Sequence, residues 1–162
     1  MGSSGEKEVF ILEKRYYMQN NTGQHWIIQA VKGLHLPNDQ HAVFGSGLLD
    51  VLGLKHASDI DLIVTRPLFE GLSADGQWQQ FIYPDKRPGL RHKTQNIEMF
   101  YHAGMPLCDT EGVERMVNSA VAIDGVKFVR LDDILAWKRA FGREKDLRDV
   151  KLIETYLKGL MT

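Results

Sequence analysis

Cysteine is almost absent from this sequence: Cys108 is the only one among 162 residues. One cysteine cannot form an internal disulfide, which favours a reducing compartment. Long apolar runs are also missing, and none approaches the roughly 18 residues that a membrane-spanning helix needs. The first residues, 1–5, lack the basic and apolar regions of a secretory signal peptide. We therefore expect a cytoplasmic protein with no membrane association.

Neither sign of charge is in excess. The chain carries 20 Lys and Arg against 21 Asp and Glu, so its net charge is −1 at pH 7. This balance gives no general attraction to nucleic acid or to a membrane surface. Hydrophobic residues make up 43% of the chain, an ordinary globular composition that suffices for a core. We expect a single domain over 1–162, with a core at about 24–130 and C-terminal helices at about 131–160.

Several common catalytic motifs are missing as well. Cys108 and the histidines do not have the spacing of a zinc site. The sequence has no serine-hydrolase nucleophile elbow, and Gly45-Ser46-Gly47 is not followed by the Gly-Lys-Ser/Thr of a Walker loop. These absences exclude three familiar enzyme classes but do not separate an enzyme from a binding module.

Hydrophobic periodicity predicts a mixed α/β (α+β) fold, with a small mixed sheet, flanking helices and a C-terminal helical pair. We expect three or four core strands, a polar loop at 84–94, and helix ends at Gly142 and Gly159. Helices are predicted at 6–20, 25–34, 48–54, 110–117, 132–141 and 144–157. Strands are predicted at 42–44, 59–65, 78–83 and 96–101, with a hairpin at 121–130 around Asp124-Gly125.

The apolar segment 42–44 is followed by Gly45-Ser46-Gly47 and then by a helical pattern. Glycines let a phosphate approach the backbone closely. The first N–H groups of a helix are unpaired and carry partial positive charge, and Ser46 adds a hydroxyl donor. The segment is therefore a competent anion site, although a Gly-Ser-Gly by itself is most often only a turn.

Twelve residues, 47–58, lead from this segment to Asp59-Ile60-Asp61-Leu62. Residues at i and i+2 of a strand point to the same face, so both carboxylates are expected to project together. Carboxylates this close repel each other unless a cation lies between them. Because Mg²⁺ binds through a few carboxylates plus substrate phosphates, the combination indicates a metal–nucleotide site. An isolated Asp-x-Asp pair is more often a solvated strand face.

The order of an apolar residue, Gly45-Ser46, a spacer and Asp59-Ile60-Asp61-Leu62 resembles the signature of the polymerase β-like nucleotidyltransferases. The similarity is closest to their small bacterial, minimal members. It implies a nucleotidyltransferase core in which Gly45 and Ser46 contact the triphosphate. It also implies that Asp59 and Asp61 are catalytic and bind Mg²⁺ or Mn²⁺, together with a third carboxylate on a neighbouring strand.

Glu98 is the best candidate for that third catalytic and metal-binding carboxylate. It is the only acid in the segment 96–100 and is flanked by strand-forming residues. Asp85 is the rival, but it follows Pro84 in the expected loop. The alternative for Glu98 is an exposed strand position without a functional role.

Lys138 is an unusual residue in the C-terminal helices, because apolar residues share its helix face. It either extends to solvent or pairs with a buried anion. The stretch from 135 to 150 is similar to the Lys … Arg-x-Lys-Asp-x-x-Asp region of abortive-infection-type nucleotidyltransferases. This similarity implies that Lys138 binds the triphosphate, and that Lys145 and Asp146 tie the helices to the site. From position alone, Asp146 and Asp149 are expected mainly to offset the helix dipole.

A local basic cluster precedes Glu98 in the expected loop. It is either a solvated loop or a grip on phosphates of a nucleotide or a nucleic-acid acceptor. The cluster consists of Lys86, Arg87, Arg91, His92 and Lys93.

The expected activity is metal-dependent nucleotidyl transfer, with ATP or another NTP as donor and release of pyrophosphate. The acceptor is a hydroxyl on a small molecule, a tRNA or a protein. The alternative is a non-catalytic, antitoxin-like module that binds a nucleotide or a protein partner on the same fold. A third alternative, a chance motif in an ordinary α/β domain, predicts no cleft at 45–61.

Overall fold

The computed structural model describes residues 25–102 and 109–160 of the chain. The helix expected at 6–20 and Cys108 lie outside the described residues. Within them the fold is mixed α/β, as predicted. The helices are α1 (Trp26–Lys32), α2 (Ser46–Val51), α3 (Arg66–Ser73), α4 (Thr110–Ser119), α5 (Leu131–Phe141) and α6 (Glu144–Leu160).

The described strands form one sheet in the order β3-β4-β5-β2-β1-β7-β6. β2 pairs in parallel with β5 and β1 pairs in parallel with β7, while the remaining neighbours are antiparallel. The strands are β1 (His41–Phe44), β2 (Ile60–Val64), β3 (Trp78–Ile82), β4 (Pro88–His92), β5 (Ile97–Phe100), β6 (Val121–Ile123) and β7 (Val126–Phe128).

The central strands β1 and β2 carry the core. All residues of β1 are buried, and in β2 only Asp61 is less than fully buried. Helices α2 and α4 pack against both strands. A strand covered in this way reads as a nearly continuous apolar run, so the polar exception in β2 marks the place where the core opens.

The expected loop at 84–94 is wrong, because β4 occupies Pro88–His92. Proline is tolerated at the first position of a strand, and within β4 only Arg91 is exposed. His92 is buried, and its Nδ1 accepts hydrogen bonds from the backbone N–H groups of Thr94 and Gln95. With β4 and the hairpin strands, the sheet has seven described strands instead of three or four.

The C-terminal pair, α5 and α6, forms as predicted, and its two helices pack against each other. Gly142 ends α5 in the left-handed conformation with φ 66°, where glycine has no steric cost. The predicted helix end at Gly159 is wrong, since α6 continues to Leu160. The hairpin turn also forms as predicted, with φ positive at Asp124 and Gly125.

Candidate functional site

A pocket of about 530 Å³ brings together the predicted metal-binding and triphosphate-binding residues. Gly45 and Ser46 line it from the end of β1 and the start of α2. The remaining members of this set come from β2, β5, α5 and the segment before β2; they are Asp59, Asp61, Glu98 and Lys138. Because these residues are distant in sequence, their convergence is a property of the fold.

Positions 45 and 47, at the start of α2, require glycine for different steric reasons. Gly45 adopts φ 71° and ψ −133°, a conformation that side chains rarely allow. A Cβ on Gly47 would lie only 2.5 Å from Cγ1 of Val43, so the residue lets α2 lie close against β1. The same test places a Cβ on Gly45 at 3.7 Å from Oδ2 of Asp61. The glycine segment therefore lies directly beside the carboxylate of Asp61.

Asp50 anchors the segment that leads to Asp59, and sequence reasoning missed it. Its Oδ2 accepts hydrogen bonds from the backbone N–H of Ala57 at 2.8 Å and from Nε1 of Trp26 at 3.3 Å. His25 Nε2 lies 2.8 Å from Oδ1 of Asp50. The signal was available, since Asp50 is a charged residue within an apolar helical segment. A buried charge of this kind needs partners.

The His25 tautomer follows from its other contact. Nδ1 of His25 accepts a hydrogen bond from the backbone N–H of Ile27 at 3.2 Å. Nε2 therefore carries the proton and donates to Asp50. This arrangement caps α1 and ties it to the segment that ends at Asp59.

Asp59, Asp61 and Glu98 form what we call the acidic cluster. Asp61 and Glu98 are direct neighbours in the parallel register of β2 and β5. Burial, followed by the negative charges of Asp59 and Glu98, raises the pKa of Asp61 to about 7. Lys145 and Lys138 oppose this increase without cancelling it. The cluster thus holds more negative charge than the surrounding side chains neutralise.

Glu98 differs from the two aspartates because both of its oxygens are occupied. Oε1 accepts hydrogen bonds from Nε and Nη2 of Arg91 at 2.9 and 2.7 Å. Oε2 accepts a hydrogen bond from the hydroxyl of Tyr83 at 3.1 Å. Burial, aided by the charges of Glu98 and Asp61, raises the pKa of Tyr83, so its hydroxyl stays protonated.

The donor set of the acidic cluster fits a divalent cation in part. Asp59 and Asp61 offer the carboxylate oxygens that Mg²⁺ prefers. Burial and then the charges of Asp59 and Glu98 raise the pKa of Asp61, and a bound cation would oppose that increase. Over residues 25–102 and 109–160, however, no three His, Cys, Asp or Glu side chains are grouped so that they could hold a metal ion. Asp59 and Asp61 fit a metal by the chemistry of their side chains, whereas Glu98 is engaged by Arg91 and Tyr83.

Five lysine and arginine side chains line the pocket. Arg87 pairs with Asp85, and we call the other four the cationic cluster: Lys55, Lys138, Arg143 and Lys145. Lys138 is buried, and its Nζ donates to Oδ2 of Asp149 at 2.8 Å and lies 3.8 Å from Oδ1 of Asp146. Of the two alternatives for Lys138, the structure shows the pairing with buried anions. The site residue Lys138 thus lines the pocket but is already bound to protein carboxylates.

Asp146 and Asp149 do more than offset the helix dipole, because both are buried and hydrogen-bonded. Lys55 donates to Asp149 at 2.9 Å, and Nε of Arg143 donates to Asp146 at 2.6 Å. Burial acts to raise the pKa of Asp149, but hydrogen bonds from Lys138 and Lys55 outweigh it and hold that pKa below its usual range. These contacts join α6, α5 and the segment before β2.

Aromatic rings complete the lining of the pocket. Trp137 packs edge-on against Phe44 with ring centroids 4.8 Å apart, and Phe141 stacks on Trp137 at 5.0 Å. The guanidinium of Arg143 lies 4.3 Å from the centre of the Phe141 ring. These rings lower the local polarity, which strengthens the charge interactions inside the pocket.

The expected basic cluster does not exist as one surface. Arg87 pairs with Asp85 and lies 4.3 Å from the centre of the Tyr83 ring. Arg91 pairs with Glu98, and His92 is buried. Arg87 and Arg91 are thus each engaged by a different carboxylate, and alternation along β4 turns His92 to the buried face.

Comparison with models of protein families, with curated proteins and with solved structures finds no match for this chain. In the described residues, no helix combines the length and the apolar character needed to cross a membrane.

Proposed function

We propose that the protein is a metal-dependent nucleotidyltransferase that moves an NMP from an NTP to a hydroxyl acceptor. The observation that carries this proposal is the pairing of opposite charges in one pocket. The acidic cluster, in which burial and the charges of Asp59 and Glu98 raise the pKa of Asp61, lies beside the cationic cluster, whose ion pairs in the described residues are with only two buried carboxylates, Asp146 and Asp149. A divalent cation with a polyphosphate has the complementary pattern, because its metal fits the acids and its oxygens fit the cations.

Asp59 and Asp61 would hold Mg²⁺ or Mn²⁺, with Glu98 as a further ligand once it is released from Arg91. The metal would supply charge neutralisation at the phosphates. Arg143 and Lys145, which are exposed at the pocket, would bind phosphate oxygens. Gly45 and Ser46 would let the triphosphate approach the backbone. Lys138 would contribute its charge at the triphosphate while remaining fixed by Asp149.

In the proposed reaction the acceptor oxygen forms a bond to the α-phosphorus, and the bond from that phosphorus to the bridging β-oxygen breaks. Pyrophosphate leaves, and the hydroxyl proton passes to a carboxylate or to solvent. The chain contributes mainly positioning and charge stabilisation. The acceptor would be a small molecule, a tRNA or a protein, and the single cysteine favours a cytoplasmic setting.

The direct test is metal-dependent nucleotide binding in wild type and Asp59→Asn, measured by calorimetry with ATP, CTP, GTP and UTP. Asparagine keeps the size but removes the charge that the cation needs. We expect affinity in Mg²⁺ or Mn²⁺ to fall by about tenfold or more, because loss of even an outer partner of a metal ligand typically costs about 10- to 100-fold in metal affinity. Asp39→Asn, an exposed site outside the pocket, is the matched control.

Unchanged metal-dependent binding in Asp59→Asn would contradict the metal site. Transfer itself is tested by intact-mass analysis of small molecules, tRNA and proteins after incubation with cell extract, NTP and Mg²⁺.

One observation favours the alternative of a non-catalytic binding module with a nucleotide or protein partner. Glu98 is held by Arg91 and Tyr83, and the described residues contain no three-ligand group. Such a module would bind nucleotide with the same dependence on Asp59 but would give no mass change on any acceptor. The transfer experiment therefore distinguishes the enzyme from the binding module, whereas the binding experiment does not.

A further inference from the structure

We propose that Arg91 is a built-in counter-cation that competes with the divalent metal for Glu98, so that metal loading requires Arg91 to leave. This inference rests on the metal site of the proposed function and adds a control on it. Its basis is the two-pronged contact of Arg91 with Oε1 of Glu98, at 2.9 and 2.7 Å. That contact places a full positive charge on the carboxylate nearest to Asp61 in the strand register.

The strand pairing explains why the side chain of Arg91 lies beside Glu98. The two residues are direct partners in the antiparallel register of β4 and β5. Oppositely charged cross-strand neighbours attract each other, and the Arg91 guanidinium also lies 4.3 Å from the centre of the Phe81 ring. Arg91 is therefore held at the edge of the acidic cluster without lining the pocket itself.

The surroundings of Arg91 allow it to leave. Its side chain is 53% exposed, whereas that of Glu98 is 19% exposed. A guanidinium with this exposure can exchange its carboxylate for water at little cost, because exposed ion pairs contribute little net stability. A metal bound to Glu98 would face the like charge of Arg91 at close range. The two cations thus exclude each other from one carboxylate.

Tyr83 provides the contrast on the same carboxylate. Its hydroxyl donates to the other oxygen of Glu98 and carries no charge. A neutral donor does not repel a metal, so Tyr83 can hold the orientation of Glu98 in both states. Removing Arg91 should tighten metal binding, while removing the Tyr83 hydroxyl should not.

The test measures Mn²⁺ binding to the full chain without nucleotide, by electron paramagnetic resonance of the free ion. In Arg91→Gln we expect affinity up to about fivefold tighter than wild type, the range set by an exposed ion pair. Arg91→Lys keeps the charge and should return the affinity to that of wild type. Tyr83→Phe should give no tightening.

Arg115→Gln is the matched control, because Arg115 and Asp133 form an ion pair of similar exposure, 57% and 17%, outside the pocket. It should leave Mn²⁺ affinity unchanged. In a Glu98→Gln background, Arg91→Gln should also lose most of its effect. Unchanged or weaker Mn²⁺ binding in Arg91→Gln, or equally tighter binding in Arg115→Gln, overturns the proposal that Arg91 competes with the metal.

Asp61→Asn separates this failure from failure of the proposed function. If Asp61→Asn loses Mn²⁺ while Arg91→Gln binds as wild type does, the metal site stands and only the counter-cation is overturned. If Asp61→Asn binds Mn²⁺ normally, the ion lies elsewhere and both proposals fall.

Discussion

The two charged clusters of the pocket are built in opposite ways. Beside the cationic cluster, two buried carboxylates accept short hydrogen bonds from its members: Asp149 from Lys138 at 2.8 Å and Asp146 from Arg143 at 2.6 Å. In the acidic cluster, the charges of Asp59 and Glu98 add to the effect of burial in raising the pKa of the partly buried Asp61. Satisfied buried charges hold a fold together, whereas unsatisfied ones cost stability and are retained where a ligand completes them. The difference indicates which cluster is scaffold and which is site.

The largest effect on stability should come from Lys138→Met, which removes the buried cation of the cationic cluster. Removing one partner of a buried ion pair leaves uncompensated charge, which typically costs about 3–5 kcal/mol. Because Lys55 and Arg143 still reach the two carboxylates, we expect a loss of about 2–4 kcal/mol in the free energy of unfolding. Urea denaturation measures it.

The neighbouring Arg139→Met is the control for this variant. Arg139 is 55% exposed and pairs with Glu154 at the surface, so its loss should cost less than about 1 kcal/mol. Equal stability of Lys138→Met and Arg139→Met would show that the buried cluster contributes nothing to folding. The apolar residues on the helix face of Lys138, taken without the structure, predict instead that a methionine at 138 keeps the fold.

That difference shows what the sequence could and could not supply. Gly45, Ser46, Asp59 and Asp61 were predictable because their order along the chain is local and periodic. The partners of Lys138 were not, because pairing with Asp149 depends on how α5 crosses α6. Likewise the occupation of Glu98 by Arg91 depends on β4, which a proline and polar residues made to look like a loop.

The second effect has the opposite sign: Asp61→Asn should stabilise the metal-free protein. The folded-state pKa of Asp61 is raised from 3.8 to about 7. Its protonated form therefore favours folding at low pH, and that contribution is lost as the pH rises from about 4 through about 7. Asparagine carries no charge, so the variant should lack this part of the pH dependence.

At pH 8 without metal we expect Asp61→Asn to be more stable by about 1–3 kcal/mol, less than the full pKa difference because the carboxyl faces an open pocket. Near pH 4 the two proteins should be about equally stable. Melting curves from pH 4 to pH 8 check both points. A stability difference that does not change between pH 4 and pH 8 would show that the pKa of Asp61 is not raised by folding.

The smallest effect on stability should come from Lys145→Gln, which sharpens the division between the clusters. Lys145 lines the same pocket as Lys138, but it is exposed, and among the described residues its side chain makes no ion pair. A surface residue without ion-pair partners contributes within about 0.5 kcal/mol, so the free energy of unfolding should be nearly unchanged.

The charge of Lys145 does act on Asp61, whose pKa it lowers. Removing that charge should raise the Asp61 pKa further, so the pH-dependent loss of stability should end at a higher pH than in wild type. The shift is read directly from the Asp61 carboxyl resonance in a pH titration by nuclear magnetic resonance, with Lys158→Gln, exposed at the far end of α6, as control. If the pKa of Asp61 is the same in Lys145→Gln as in wild type, Lys145 is only a solvated surface residue and does not act on the acidic cluster.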